Sequence, residues 1–147
     1  MEIIKTYLDI SVFGLLGFMA FLVTWFFIER VLFFRKIDVT NYQHSQLLHI
    51  DLTKHLTIIS SMGANAPYVG LLGTVIGILV TFYELGMSER IDTGEIMVGL
   101  ALALKATAGG IGLAIPTIMI YNGLLRKVDV LEATFQAHQS TLSEKSS

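Results

Sequence analysis

The sequence predicts an all-α integral membrane protein with three transmembrane helices, and three observations carry that prediction. Charge is absent from Ile10 to Ile28 and from His55 to Tyr83, and between Ile96 and Arg126 the one charged side chain is Lys105. Each stretch reaches the roughly 20 apolar residues that a helix needs to cross a bilayer. Of the 147 residues, 53% are hydrophobic and only 15% charged, a balance foreign to a water-soluble domain of this size. Cysteine is absent, which excludes a disulfide-stapled secreted fold. A net charge of −2 leaves no basic surface for phosphates, so no nucleic-acid partner is expected. No nucleophile–base set or ligand cluster stands out in the spans, so neither an enzyme nor a cofactor is expected.

Residues 1–147 read as a single membrane domain with spans at about 10–34, 62–84 and 97–123. The leader of span one carries Glu2, Lys5 and Asp9 rather than a basic run, and no A-x-A site follows, so this span is expected to stay. Its bulky side chains (Phe13, Phe18, Phe21, Leu22, Phe26) suit a helix surrounded by membrane lipids. Trp25 and the Phe-Phe pair suit an interfacial belt, where Arg30, Arg35 and Lys36 reach inner headgroups. Asp38 to Asn41 then reads as a turn and an N-cap for the next helix. From Tyr42 onward Leu48, Leu52, Leu56 and Ile59 recur at helical spacing, and no break signal precedes span two. That pattern predicts one continuous helix of roughly 45 residues and nearly 70 Å, with a cytoplasmic extension at about 40–61. Pro67 should kink it, and Pro116 should do the same in span three. A second extension, at about 124–142, carries the stripe Leu124, Val128, Leu131, Phe135 and Leu142. The two stripes should bury against each other or against neighbouring subunits, with Ser143 to Ser147 frayed.

Orientation follows from the basic residues. The leader and the connection between spans two and three carry two, Lys5 and Arg90, against seven in the other aqueous segments. The amino terminus should therefore face outward and the carboxyl terminus the cytoplasm.

The informative residues are the small and polar ones of spans two and three. Ala66, Gly70, Gly73, Thr74, Gly77 and Thr81 share one helix face. Gly99, Ala103, Ala106, Thr107, Gly110, Ala114, Thr117 and Tyr121 make a second. Such faces meet other helices or line an interior space, because small residues let backbones approach. A buried threonine commonly returns its hydroxyl to the carbonyl four residues back, which is Gly70 for Thr74 and Ala103 for Thr107. The alternative is a polar ring formed by Thr74 and Thr107 where several copies surround a centre.

Ala66-Pro67-Tyr68-Val69-Gly70-Leu71-Leu72-Gly73-Thr74-Val75-Ile76-Gly77 resembles the second-span signature of the ExbB/TolQ/MotA family of proton-channel subunits. Ala106-Thr107-Ala108-Gly109-Gly110, followed by Ala114-Ile115-Pro116 and Tyr121-Asn122, is similar to the third-span signature of its ExbB branch. The resemblance implies a bacterial inner-membrane homo-oligomer, five copies in this family. It implies ExbD-like single-span partners, each supplying an aspartate, and a TonB-like protein, with the proton gradient driving import across the outer membrane. It places Thr74 and Thr107 where the family has its pore threonines. Two departures stand out. Some relatives carry a glutamate five residues before the third-span threonine, where this chain has Leu102. The short connection from Lys36 to Leu56 also replaces a long cytoplasmic loop.

The residues themselves point to a missing partner. Threonine does not change charge, and no Asp, Glu or His lies within the predicted span cores, with Glu29 and Glu84 at their edges. A proton path would take its titrating carboxylate from another chain. Lys105 is the one ionisable residue deep in a span, roughly 160° around the helix from Thr107. It either snorkels outward or pairs with an outer carboxylate such as Glu84, or it sits at a subunit contact that sets assembly or gating. His44, His49 and His55 lie off the i, i+4 register that would converge on a metal. Other readings are a TolQ-like envelope-maintenance motor subunit and a non-conducting helical scaffold. A secondary transporter would need a midplane substrate site, and none is apparent.

Overall fold

The computed structural model describes residues 2–147, so Met1 of the predicted domain lies outside it. Four α-helices follow in order: α1 (Glu2–Lys36), α2 (Ser45–Thr53), α3 (Leu56–Met87) and α4 (Thr93–Ser146). α1, α3 and α4 are each long and apolar enough to cross a membrane. The chain is an all-helical, multi-pass membrane protein.

α3 and α4 form the central antiparallel pair, and α1 lies in the groove beside them. Val12 of α1 packs at Gly73 of α3 and Phe13 at Gly109 of α4, so α1 runs against α3 and along α4. The buried residues of α1 (Leu16, Met19, Val23, Arg30 and Phe34) recur at helical spacing and define its inner stripe. Phe18, Phe21, Trp25 and Ile28 point away and are exposed. So many outward aromatic and aliphatic side chains are tolerable only against lipid or other subunits.

Below the spans, Leu48 and Leu52 of α2, Leu56 and Ile59 of α3, and Leu124, Val128 and Phe135 of α4 close into one cluster with Phe34 and Val39. The two predicted stripes thus bury against each other within one chain. His49 of α2 pairs with Glu132 of α4 across the same contact. Leu142, assigned to that stripe, is instead exposed, and α4 stays helical to Ser146 rather than fraying at Ser143.

The expected continuous second helix is corrected. It breaks at Lys54 and His55, where His55 takes the left-handed conformation with φ 66°. In an unbroken helix the Asp51 carbonyl would accept the His55 N–H. Here that carbonyl accepts Arg30 Nη1 at 2.7 Å instead. The His55 ring stacks on Phe26 at 4.6 Å, and its Nδ1 lies 3.3 Å from Glu29. Arg30 therefore does not reach headgroups. It is 1% exposed, clasped by both Glu29 oxygens at 2.6 and 2.7 Å, with its guanidinium 4.4 Å from the Phe33 ring centre. Arg30 is a strap from α1 to the α2–α3 corner.

The N-cap assignment also changes. Asp38 caps a short 3₁₀ turn, Val39–Asn41, by accepting from the Thr40 N–H at 2.9 Å, while His44 precedes α2 without a side-chain cap bond. The hydrogen bonds from Thr40 hold the Asp38 carboxyl below its ordinary range. α3 and α4 continue through Pro67 and Pro116 without a break in helix.

Candidate functional site

The site is the seam between α3 and α4, and glycine is what lets it form. A Cβ on Gly70 would stand 2.5 Å from the Ala106 carbonyl oxygen, and one on Gly110 would strike the Ala66 carbonyl. Neither collision involves a side chain that could turn away, so at this level the two backbones themselves touch. One and two turns toward the α3–α4 connection, a Cβ on Gly73 would lie 2.9 Å from Ala106 Cβ, and one on Gly77 would lie 2.9 Å from Ala103 Cβ. Ala114 sits one turn inward, buried with Ala66, Leu16 and Met19. The two small-residue faces predicted from sequence meet each other inside one subunit.

Close approach brings Thr74 and Thr107 together, with their hydroxyl oxygens 2.6 Å apart. Thr74 Oγ1 is also 2.9 Å from the Ala103 carbonyl across the seam and 3.3 Å from its own Gly70 carbonyl. The other threonines of the seam behave differently. Thr81 donates to Gly77 at 2.9 Å and Thr117 to Leu113 at 2.7 Å, each within its own helix. Thr74 makes its shorter carbonyl contact to the opposite helix, and Thr107 leaves its own fourth-back carbonyl, that of Ala103, to Thr74.

A hydroxyl has one proton, and a carbonyl can only accept. If Thr74 donates to Ala103, Thr107 must donate to Thr74. The oxygen of Thr107 is then left with free acceptor capacity. Thr74 is 5% exposed, whereas Thr107 is only half-buried, so the open end of this chain of bonds is at Thr107.

Lys105 stands exposed on another side of α4, with Nζ 5.7 Å from the Phe13 ring centre. It does not pair with Glu84, whose carboxylate is taken by Lys5. Leu102, at the position where some relatives carry a glutamate, is exposed. Pro67 and Pro116 lie on the α2 side of the threonine pair on their respective helices.

One charged residue sits where the sequence reading did not put it. Asp9 was assigned to the aqueous leader, but it belongs to α1, two residues beyond Tyr7 and one turn outward of Phe13. It lines a narrow gap with Gly73, Gly77, Ala103 and Ala106, the small residues that back the threonine pair. The signal was present: Lys5, Asp9, Val12, Leu16, Met19 and Val23 recur at alternating spacings of four and three along one face of α1. A window of hydropathy starts where charge stops, and so it cut this stripe short.

The profile of the MotA/TolQ/ExbB proton channel family matches residues 38–137, which include α2, α3 and the seam half of α4. The biopolymer transport protein ExbB of Helicobacter pylori is 54% identical over 136 residues, 92% of this chain and 94% of that protein. ExbB of Aquifex aeolicus is 52% identical over 128 residues, 87% of this chain and 86% of the relative. ExbB of Salmonella typhimurium aligns over less, with 38% identity across 76 residues, 52% of this chain and 31% of that protein. The first two relatives run nearly end to end with this chain, so its short connections are shared with proteins of the same size. By the profile and by these near-full-length relatives, the chain belongs to the MotA/TolQ/ExbB proton channel family.

Proposed function

We propose that this chain is the channel-forming subunit of an inner-membrane energy transducer that uses the proton gradient to power import across the outer membrane. It works as a homo-oligomer, a pentamer as in the family, with an ExbD-like single-span partner and a TonB-like protein. Its amino terminus is periplasmic, and the α2 and distal α4 segments form a cytoplasmic base. The observation that carries the reading is the bridge from Thr107 through Thr74 to the Ala103 carbonyl, with its free acceptor at half-buried Thr107.

That bridge suits a partner carboxyl group that changes charge. A protonated carboxyl donates its O–H to the free oxygen of Thr107 and leaves the bridge intact. An ionised carboxylate only accepts, so Thr107 must turn its hydroxyl toward it and release Thr74. The pair therefore has two arrangements, one for each protonation state of the partner. Lys105, exposed at a lipid or subunit boundary, is assigned to assembly or gating rather than to the proton path.

Mass spectrometry of what co-purifies with the chain, gently extracted from its membrane, tests this reading. A small single-span protein with a membrane aspartate at fixed stoichiometry is expected. The identity of a third component then separates nutrient import from a TolQ-like role. The tight seam serves a non-conducting scaffold equally well, and a homo-oligomer with no such companion and no proton flux after reconstitution decides for the scaffold.

A further inference from the structure

We propose that Asp9 is a proton-relay group of this chain, standing at the inner end of a water-filled cleft that opens on the amino-terminal side of the membrane. The inference rests on the proton-channel reading above and adds to it a titratable group in this subunit itself.

Three observations carry it. The first is depth. Val12 packs at Gly73 and Leu8 comes within 4.0 Å of a Cβ on Gly77, so Asp9 lies between these levels. On a helix rising about 1.5 Å per residue, that is within about one turn of the level of Thr74. Its carboxylate stands among apolar spans, where an ionisable group is a functional candidate by default.

The second is access. A cleft of about 950 Å³ opens between the outer ends of α1, α3 and α4, with Lys5, Asp9, Thr81, Glu84 and Glu95 among its walls. It shares Lys5, Asp9, Thr81, Gly99 and Leu102 with a narrow inner gap of about 40 Å³. A water molecule takes roughly 30 Å³, so the gap has room for about one. The inner wall of the gap is Gly73, Ala103 and Ala106, whose side chains are no larger than a methyl, and the Ala103 carbonyl is the acceptor of Thr74.

The third is pairing. Asp9 has no hydrogen-bond or ion-pair partner among the described residues. The nearest basic group on its own helix, Lys5, is engaged with Glu84, and Lys105 of α4 lies over Phe13, one turn inward on the same α1 face. The charged groups around Asp9 are therefore Lys5 from α1, Glu84 from α3, and Asp92, Glu95 and Lys105 from the start and body of α4. An unpaired carboxylate at this depth needs water, and the cleft supplies it.

The step is a plain proton transfer. Hydronium in the cleft gives its proton to the Asp9 carboxylate and leaves as water. Neutral Asp9 then passes a proton to the water in the inner gap and returns to carboxylate.

The test uses the intact complex with its partner, reconstituted into liposomes, with inward proton flux read by an internal dye as the outer pH is varied. Wild type is expected to conduct, with flux saturating as the outer side is acidified. Asp9→Asn is expected to lower flux about a hundredfold and to abolish the saturation, as loss of a positioned proton-transfer group does. Asp9→His, which restores a titrating group, is expected to conduct with the midpoint of its outer-pH dependence moved upward by about two and a half units, the difference between the ordinary values of the two side chains. That midpoint is not one that a purely structural residue would move, and it is readable even where Asp9→Asn fails to assemble. A conducting Asp9→Asn with wild-type pH dependence, or an Asp9→His with an unmoved midpoint, overturns the relay. A wild-type complex that conducts no protons overturns the channel reading first, and the relay with it.

Discussion

Replacing Thr74 by valine isolates the hydroxyl bridge from everything else in the seam. Valine keeps the branched shape, so the packing of Thr74 against α4 is preserved while its hydroxyl is lost. Two contacts disappear, the 2.9 Å bond to Ala103 and the 2.6 Å bond to Thr107. Side-chain hydrogen bonds between membrane helices average about 0.6 kcal/mol each, so the pair is worth about 1 kcal/mol to the fold. The glycine seam does not depend on it, and the oligomer should purify in wild-type yield with a melting temperature a few degrees lower. Conduction is another matter. With Thr74 gone, Thr107 loses the acceptor to which its proton points whenever the partner is neutral, and the two-state behaviour of the bridge is lost. A bias of about 1 kcal/mol between those states, the worth of the two bonds, corresponds to about fivefold in rate. Thr74→Val should therefore cut proton flux in reconstituted complexes about fivefold, while Thr74→Ser, which restores the hydroxyl, should recover most of it. A valine variant that assembles and conducts like wild type would show that the bridge is only packing.

Five further substitutions, at four positions, test the frame around the bridge. Gly110→Ala pushes a methyl into the Ala66 carbonyl and the Gly70 backbone, which no rotamer relieves, so it should destabilise the subunit by about 3 kcal/mol in thermal unfolding. Gly112→Ala, which meets nothing within 4 Å in the subunit and lies inside a helix, should not destabilise it and should gain up to about 1 kcal/mol, and equal losses from both would refute the seam. Arg30→Ala leaves Glu29 without its clasp and Asp51 without its donor; because Glu29 is partly solvated, a loss of about 2–3 kcal/mol is expected, measured by the same unfolding assay. His55→Gly and His55→Ala differ in sign according to the backbone: at a left-handed residue glycine should be the more stable by about 1 kcal/mol, whereas in a continuous helix alanine would win by about as much.

The parts of the structure that could be read in advance are those selected by a local rule. Close helix approach excludes every large side chain, so Gly70, Gly73, Gly77, Gly110 and Ala114 declare a seam through composition and spacing alone. The stripes of α2 and distal α4 are equally plain, since Leu48, Leu52, Leu124 and Val128 are apolar at helical intervals in polar surroundings. The break at His55 escaped because periodicity runs straight through it. Leu52, Leu56 and Ile59 keep the four-and-three spacing and are all buried, as a continuous helix would have them. At the break Arg30, distant in sequence, bonds the Asp51 carbonyl, a contact that no local pattern marks. Asp9 and Arg30 share that history. Both lie on the inner stripe of α1, and both were read as belonging to water because they are charged.

The seam also limits where motion can occur if the chain conducts. With Gly70 and Gly110 in backbone contact, α3 and α4 cannot close further, and parting them would strip the contacts that hold the pair together. The threonine bridge thus has a fixed frame, in which only hydroxyl rotation is cheap. Larger movement has to be taken up elsewhere: by the partner in whatever space the oligomer encloses, or at the corner between α2 and α3. There the left-handed His55 and the Arg30 strap store an arrangement with an evident alternative, the straight helix that the sequence pattern also permits. On the proposed function, a stiff seam beside this corner would separate two tasks, holding the threonine pair in register and letting the base formed by α2 and distal α4 respond. His55→Gly and Arg30→Ala act on the second without touching the first. In complexes that still assemble, they should change the coupling of flux to work while leaving the flux through the threonine pair in place.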